Sequence, residues 1–291
     1  MTGFGLRALG LYALRPEGAR SPSATSQGEW RGGEEIVPVS ENEGGTKMSM
    51  LTDERELVGQ PPPADGELVL VERTGSRATV TMNDPWTLNA LSAPLTERLY
   101  ESLQQVVGDP TVGSVVLTGA DPAFSSGAAP LAAGLVGAPA AVRWTLGEIA
   151  RLIARSDKPI IAAVNGVAAG AGLALALACD VVIVSHAAPL DPASGRAGLL
   201  PEVGMSWLLT RRLGYHRTLS LFTRGQQLSP GEAARTGLVE VAVRPDELAS
   251  VVSFWCHIAD LAATPYVAKP LVRSATESGL GRAVVMGEFA A

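Results

Sequence analysis

A glycine- and alanine-rich turn is the part of this sequence with the clearest chemical potential. Gly170, Ala171 and Gly172 lie after a run of β-branched residues and just before the helix-favouring sequence LALALA. The backbone N–H groups at the start of a helix have no partner within that helix, and the helix dipole favours negative charge there. The sequence therefore predicts a backbone site for an anion, either a phosphate or an oxyanion that develops during a reaction.

The turn lies in a stretch, residues 159–179, that carries no charge. About 20 apolar residues are enough to span a bilayer, so a membrane helix is the first alternative. Asn165 and Gly166 interrupt the stretch, however, and its first part is short and β-branched, as in a buried strand. We therefore predict no membrane span but a strand, a turn, a helix and a second strand in an α/β core, at residues 160–164, 165–172, 173–178 and 181–184.

Composition and spacing argue against several other functions. The net charge of −6 argues against non-specific binding of nucleic acid. A dinucleotide fingerprint needs G-x-G-x-x-G after a strand, whereas the glycines here are at 166, 170 and 172. Cys179 and Cys256 form no disulfide or metal-site pattern, and the three histidines are scattered. We expect a protein of the reducing cytoplasm with no metal site.

Hydrophobic periodicity predicts alternating strands and helices over most of the chain. The predicted strands are 67–73, 78–82, 114–118, 160–164, 181–184 and 238–243. Besides 173–178, the predicted helices are one capped by Ser92, one capped by Ser229, and 141–155, 205–213, 217–223, 246–263 and 265–278. This alternation indicates βαβ units and hence an α/β fold.

The two ends of the chain differ from its middle. Residues 1–66 are rich in Gly, Ser, Glu and Pro, and we expect a poorly ordered N-terminal tail. The core domain is predicted at 67–263. Residues 264–291 are predicted to be an incomplete C-terminal helical region that takes part in oligomerisation.

The central stretch resembles the crotonase (enoyl-CoA hydratase/isomerase) superfamily. Members carry the run K-P-x-I-A-A-V-N-G-x-A-x-G-G-G-x-x-L-A-x-x-C-D, and this chain has KPIIAAVNGVAAGAGLALALACD. The resemblance covers roughly residues 67–278 and includes Asn89-Ala90-Leu91 and the loop at 123–127. It implies a crotonase-type ββα spiral with a helical C-terminal region, which we expect to be truncated here.

The resemblance also implies a substrate and a site. Family members bind acyl-CoA thioesters, need no further cofactor, and form trimers or hexamers. They stabilise the thioester enolate with two backbone N–H groups, which the resemblance assigns here to Ser126 and Ala171. Losing one such donor costs about 3–4 kcal/mol in the transition state. The same two turns are expected to contact the substrate at Ser125, Gly127, Ala128, Gly170 and Gly172.

The acid–base residues depart from the family pattern. Hydratases of the family use two glutamates, and their positions are occupied here by Ala174 and Ser194. Neither side chain can accept a proton at neutral pH, so hydration with two glutamates is not expected. Glu202, within GLLPEVGMS, lies where the ring-epoxyphenylacetyl-CoA isomerase branch and the related dehalogenases have an aspartate.

The sequence therefore leaves two functions from different classes open. In the first, Glu202 is a single base that removes an α-proton from a 3-enoyl-CoA before the γ-carbon is reprotonated. In the second, the chain is a non-catalytic fatty acyl-CoA-binding protein that has lost its acids. Asp191 is a weaker candidate for the base, and Trp86 and Trp207 are candidates for lining an acyl pocket.

Overall fold

A computed structural model describes residues 66–128, 140–192, 204–261 and 268–273. Its strands are β1 (Val69–Thr74), β2 (Arg77–Met82), β3 (Ser114–Gly119), β4 (Ala123–Ser125), β5 (Ile160–Val164), β6 (Val167–Ala169), β7 (Val181–Ser185), β8 (Leu190–Asp191) and β9 (Val241–Val243). Its helices are α1 (Ala93–Gly108), α2 (Ala140–Arg155), α3 (Gly170–Ala178), α4 (Met205–Leu213), α5 (Tyr215–Arg224), α6 (Pro230–Arg235) and α7 (Leu248–Leu261). Residues 268–273 are also helical.

A repeated ββα unit contributes strands to two sheets. In the described part of the chain, a six-stranded sheet has the order β1-β2-β3-β5-β7-β9, and a three-stranded sheet has the order β4-β6-β8. Only the β1–β2 hairpin pairs antiparallel within these sheets. Each of three successive ββα units, ending in α2, α3 and α4, gives its first strand to the large sheet and its second to the small one. This is the predicted crotonase-type spiral.

The central strands are buried on both faces, which explains their continuous apolar sequences. In β5, Ile160 and Ala162 face the main core, whereas Ile161 and Ala163 face a second cluster under α7. Side chains alternate along a strand, so both faces need apolar residues when helices cover both. Helix α3 is apolar on all sides for the same reason, because residues 171–177 are all buried in the core.

Local sequence signals placed most elements well. Helix α4 coincides with its prediction, and Ser92 and Ser229 cap α1 and α6 by accepting the N–H groups of Leu95 and Glu232. The short strands β4, β6 and β8 were not predicted, since two or three residues carry no periodicity. The strand expected at 238–243 is confined to Val241–Val243. The predicted N-terminal tail before residue 66 and the C-terminal helix beyond 273 lie outside the described residues.

Candidate active site

The glycine-rich turn lies beside a second turn at one edge of the small sheet. Strand β4 ends at Ser125 and β6 ends at Ala169, where α3 begins without a break. The two strands pair in parallel, so their carboxyl ends meet at the same edge. We call residues 125–128 and 169–172 the two facing turns.

The facing turns approach so closely that glycine is needed in both. Gly127 has a φ of +97°, and a Cβ atom there would lie 2.7 Å from the carbonyl oxygen of Ala169 and 3.6 Å from the nitrogen of Ala171. A Cβ atom on Gly172 would lie 2.7 Å from both Cβ and Oγ of Ser125. Only a residue without Cβ lets the two backbones meet in this way.

The buried side chain of Asn89 holds the first turn in place through hydrogen bonds. Asn89 is fully buried with a φ of 55°, and its side-chain amide donates to two carbonyls at either end of the β3–β4 connection, at 2.8 and 2.7 Å. Its Oδ1 accepts the N–H of Asp84 at 2.9 Å. The Ser125 hydroxyl donates to the Asn89 carbonyl at 2.8 Å and accepts the N–H of Gly127 at 3.1 Å. The Asn-Ala-Leu sequence therefore serves to fix the turn.

One of the two donors assigned from the sequence is wrong. The backbone N–H of Ser126 donates to the carbonyl of Leu88 at 2.9 Å, and its hydroxyl donates to the carbonyl of Thr87 at 3.0 Å. An N–H that is already bonded within the protein is not free to bind an oxyanion. The physical reason is that the 84–91 loop, which Asn89 fixes, passes directly beside Ser126.

Ala128 supplies the free donor of this turn. Leu91 forms a parallel bridge with Ala128 and donates its N–H to the Gly127 carbonyl at 2.8 Å. In a bridge of this kind, the N–H of the bridged residue points away from the partner strand. No acceptor for the Ala128 N–H lies among the described residues.

Ala171 supplies the second free donor, and its role at an oxyanion stays a prediction. It is the second residue of α3, whose N-cap residue Ala169 makes no side-chain capping bond. The N–H groups of the first turn of a helix have no partner within it, and the helix dipole adds partial positive charge. The facing turns thus present backbone N–H groups and no charged side chain of their own.

The structure describes two of the four positions considered for the acid–base residues, Ala174 and Asp191. Ala174, one helical turn after Ala171, is fully buried, so a methyl group stands where hydratases have their first glutamate. Ser194 and Glu202 lie outside the described residues. Asp191 pairs in register with Ala169, and its Oδ2 accepts the Nε2 N–H of Gln227 at 2.9 Å. The structure therefore places this weaker candidate on the strand next to β6.

The two candidate pocket tryptophans lie in different regions. Trp86 is in the 3₁₀ turn Pro85–Thr87, whose last carbonyl binds Ser126. Trp207 lies on α4, where the guanidinium of Arg211 stacks on its ring at 4.7 Å, and it lines a cavity at the other end of α3. Trp207 therefore lines a cavity, but not one at the facing turns, and its role in holding an acyl chain stays a prediction.

Two further properties of the described residues bear on other functions. No group of three or more potential metal-ligating side chains occurs there. In the same ranges, no helix is both long enough and apolar enough to cross a bilayer.

Comparison with known proteins places this architecture in a family. Residues 72–277 match the family model "Enoyl-CoA hydratase/isomerase". A probable enoyl-CoA hydratase of Rhizobium meliloti is 37% identical over 188 residues, which are 62% of this chain and 71% of that protein. The 1,2-epoxyphenylacetyl-CoA isomerase of Escherichia coli is 34% identical over 212 residues, 69% of this chain and 78% of the relative.

Solved structures agree with this assignment. A probable enoyl-CoA hydratase/isomerase from Mycobacterium abscessus superposes with a TM-score of 0.70 at 31% identity, over 77% of this chain and 88% of the other. A monofunctional enoyl CoA isomerase from M. smegmatis has a TM-score of 0.65 at 30% identity, over 75% of this chain and 99% of the other. The chain belongs to the enoyl-CoA hydratase/isomerase family and has the crotonase fold.

Proposed function

We propose that this chain is an isomerase-type enzyme acting on an enoyl-CoA thioester, with the N–H groups of Ala128 and Ala171 as its oxyanion hole. The observation that carries the proposal is the pair of facing turns, each with a free backbone donor, which meet so closely at Gly127 that a Cβ atom there would lie 2.7 Å from the Ala169 carbonyl oxygen. Backbone donors aimed at a thioester oxygen stabilise the negative charge that develops when the α-carbon loses a proton.

The proposed reaction moves one proton and one double bond. A carboxylate removes a proton from the α-carbon of a 3-enoyl-CoA, and the electron pair of that C–H bond passes into a dienolate whose negative charge rests on the thioester oxygen. The same group, now a carboxylic acid, returns the proton to the γ-carbon. The double bond moves to the 2-position and nothing is gained or lost, so one acid–base group is enough.

One observation favours isomerisation over hydration. Addition of water needs one group to activate the water and another to deliver a proton, and the first of the two family positions is the buried methyl group of Ala174. Relatives of both kinds occur, since the E. coli and M. smegmatis proteins are named isomerases and the R. meliloti protein is named a hydratase. Glu202, known here only from its place in the sequence, is our proposed base, and Asp191 is the alternative.

The test is a comparison of two substrates and two variants. Wild-type protein is expected to convert a 3-enoyl-CoA to the 2-enoyl-CoA and to add no water to the latter. Glu202→Gln should abolish turnover while acyl-CoA still binds in a calorimeter. Glu240→Gln, a change of an exposed glutamate beside β9, serves as the matched control and should keep full activity.

A non-catalytic acyl-CoA-binding protein is the second candidate function. The methyl group at Ala174 favours it as well, because it removes an acid without disturbing the facing turns. Binding of a saturated acyl-CoA without turnover of either enoyl-CoA would support this alternative. Turnover that survives in Glu202→Gln but is lost in Asp191→Asn would instead transfer the role of base to Asp191.

A further inference from the structure

A large cavity lies at the opposite end of α3 from the facing turns. Its volume is about 920 Å³, and its wall includes Cys179 and Asp180 just after α3. Pro159 and Val181, at the amino ends of β5 and β7, also line it. A helix rises 1.5 Å per residue, so about 12 Å separate Ala171 from Cys179 along the axis of α3. The cavity is therefore distinct from the site of the proposed reaction.

The cavity has the size and lining of a site for a small organic molecule. Such sites are typically 300–1,000 Å³ in volume, with mostly apolar walls and a few placed polar groups. Helices α2, α4 and α7 and the helical residues 268–273 each contribute to the wall. The apolar part comes from Trp207, Leu208, Trp255, Ile258 and Val272.

Some of the cations around the cavity are already engaged in holding the structure. Lys269 donates to Asp180 at 2.8 Å and to the carbonyls of Ile153 and Lys158 at 3.0 and 3.1 Å. Arg273 donates to carbonyls at the end of α2, and Arg151 pairs with Glu148 at 2.6 Å. The contacts of Lys269 and Arg273 fix the last described helical segment against α2, whereas the Arg151–Glu148 pair lies within α2.

Three further arginines line the cavity. Arg155 and Arg211 form no ion pair with a carboxylate of the described residues, whereas Arg212 interacts electrostatically with Asp180. Stacking on Trp207 holds Arg211 in a fixed orientation. Burial lowers the pKa of Arg212, because its guanidinium has lost water that a bound anion would replace. The cavity is thus locally basic although the chain has a net charge of −6.

We propose that this cavity is a binding site for an organic anion with an apolar body, such as a medium-chain carboxylate. The apolar chain would lie against Trp255, Ile258 and Val272, and the anionic head would accept N–H bonds from Arg155 and Arg211. Guanidinium groups bind carboxylates through two parallel hydrogen bonds, and Arg155 and Arg211 are exposed arginines in the wall of an apolar cavity.

The test uses calorimetry on the full chain with octanoate, octanol and acetate as probes. Octanoate is expected to bind at one site, and octanol or acetate about tenfold or more weakly, because each lacks one of the two recognised parts. The double variant Arg155→Gln/Arg211→Gln should weaken octanoate binding by a similar factor. Ala154→Phe, which fills the cavity from an exposed position on α2, should also weaken it.

The control is Arg98→Gln, which removes an exposed arginine of α1 that pairs with Glu101 outside the cavity, and it should bind as wild type does. Absence of octanoate binding to wild-type protein would overturn the proposal. Equal affinity for octanol and octanoate would do so too, as would unchanged binding in both cavity variants, which would place the ligand elsewhere. If sedimentation shows that the protein self-associates and the associated form does not bind octanoate, the cavity would instead be covered by a second copy of the chain.

Discussion

The two ends of α3 do different work with different chemistry. At its amino end, two glycine-containing turns bring backbone N–H groups together, and the nearest side chains are methyls and small hydroxyls. At its carboxyl end lies an apolar cavity, whose wall includes Asp180, Lys269 and several arginines. One end is built by backbone and the other by side chains, although the same nine-residue helix joins them.

The difference decides which substitutions each end can tolerate. A backbone donor is kept when its own side chain changes, so Ala171 can stand where the family has glycine. What the amino end cannot accept is added volume between the turns. The carboxyl end behaves in the opposite way, because its charged contacts depend on side-chain identity while its cavity has room.

The largest expected effect is at the amino end. Gly172→Ala would place a Cβ atom 2.7 Å from the Ser125 side chain and so force the facing turns apart. We expect a loss of about 10²–10³ in kcat as a donor leaves its position, and about 1–3 kcal/mol in the free energy of unfolding. Gly231→Ala in α6, where nothing lies within 4 Å, is the control. Similar activity of both variants would show that the turns need no close contact.

Asn89→Ala should have the next largest effect, because the N–H of Asp84 and the carbonyls of Ala120 and Ala123 lose the side chain that binds them. We expect a loss of about 3 kcal/mol in the free energy of unfolding, measured by urea denaturation. Asn83→Ala, which removes one exposed hydrogen bond to the Glu67 carbonyl, should cost less than about 1 kcal/mol. Equal losses would contradict the bracing role of Asn89.

At the carboxyl end, Lys269→Met should cost about 2 kcal/mol of unfolding free energy, because three oxygen atoms lose their donor. Burial raises the pKa of Asp180, and Lys269 acts most strongly against that increase, so removing Lys269 leaves the carboxylate with only the Ile160 N–H and the charge of Arg212 to stabilise it. A double-mutant cycle with Asp180→Asn should show a coupling between the two positions. Additive losses would mean that the ion pair contributes nothing.

The smallest expected effect is a pH dependence of the stability that comes from Asp109, the residue that follows α1. Hydrogen bonds from the side chain and the backbone N–H of Thr111, with Arg73 nearby, lower the pKa of Asp109 from 3.8 to about 2. A lowered pKa stabilises the fold above the unfolded value, and that contribution is lost as the pH falls from about 4 to about 2. Asp109→Asn should flatten the stability curve in this window, and an unchanged slope would contradict the assignment.

Sequence patterns predicted much of the fold, because apolar runs and caps act locally. The central strands, α4 and the caps at Ser92 and Ser229 were all readable in this way. The donor on the first turn was not, since the motif does not tell which N–H group the 84–91 loop occupies. Asn89, with its left-handed backbone and short amide side chain, was the available signal for that loop. The cavity was also unpredictable, because its wall joins residues more than 100 positions apart.

The most direct test of the central claim is the infrared spectrum of a bound acyl-CoA whose thioester carbonyl carries ¹³C. If the N–H groups of Ala128 and Ala171 form an oxyanion hole, the C=O stretch shifts to lower frequency on binding to wild-type protein. The shift should shrink in Gly172→Ala and persist in Gly231→Ala. If the acyl-CoA binds to wild-type protein but its C=O stretch keeps the frequency that it has in water, the account is contradicted.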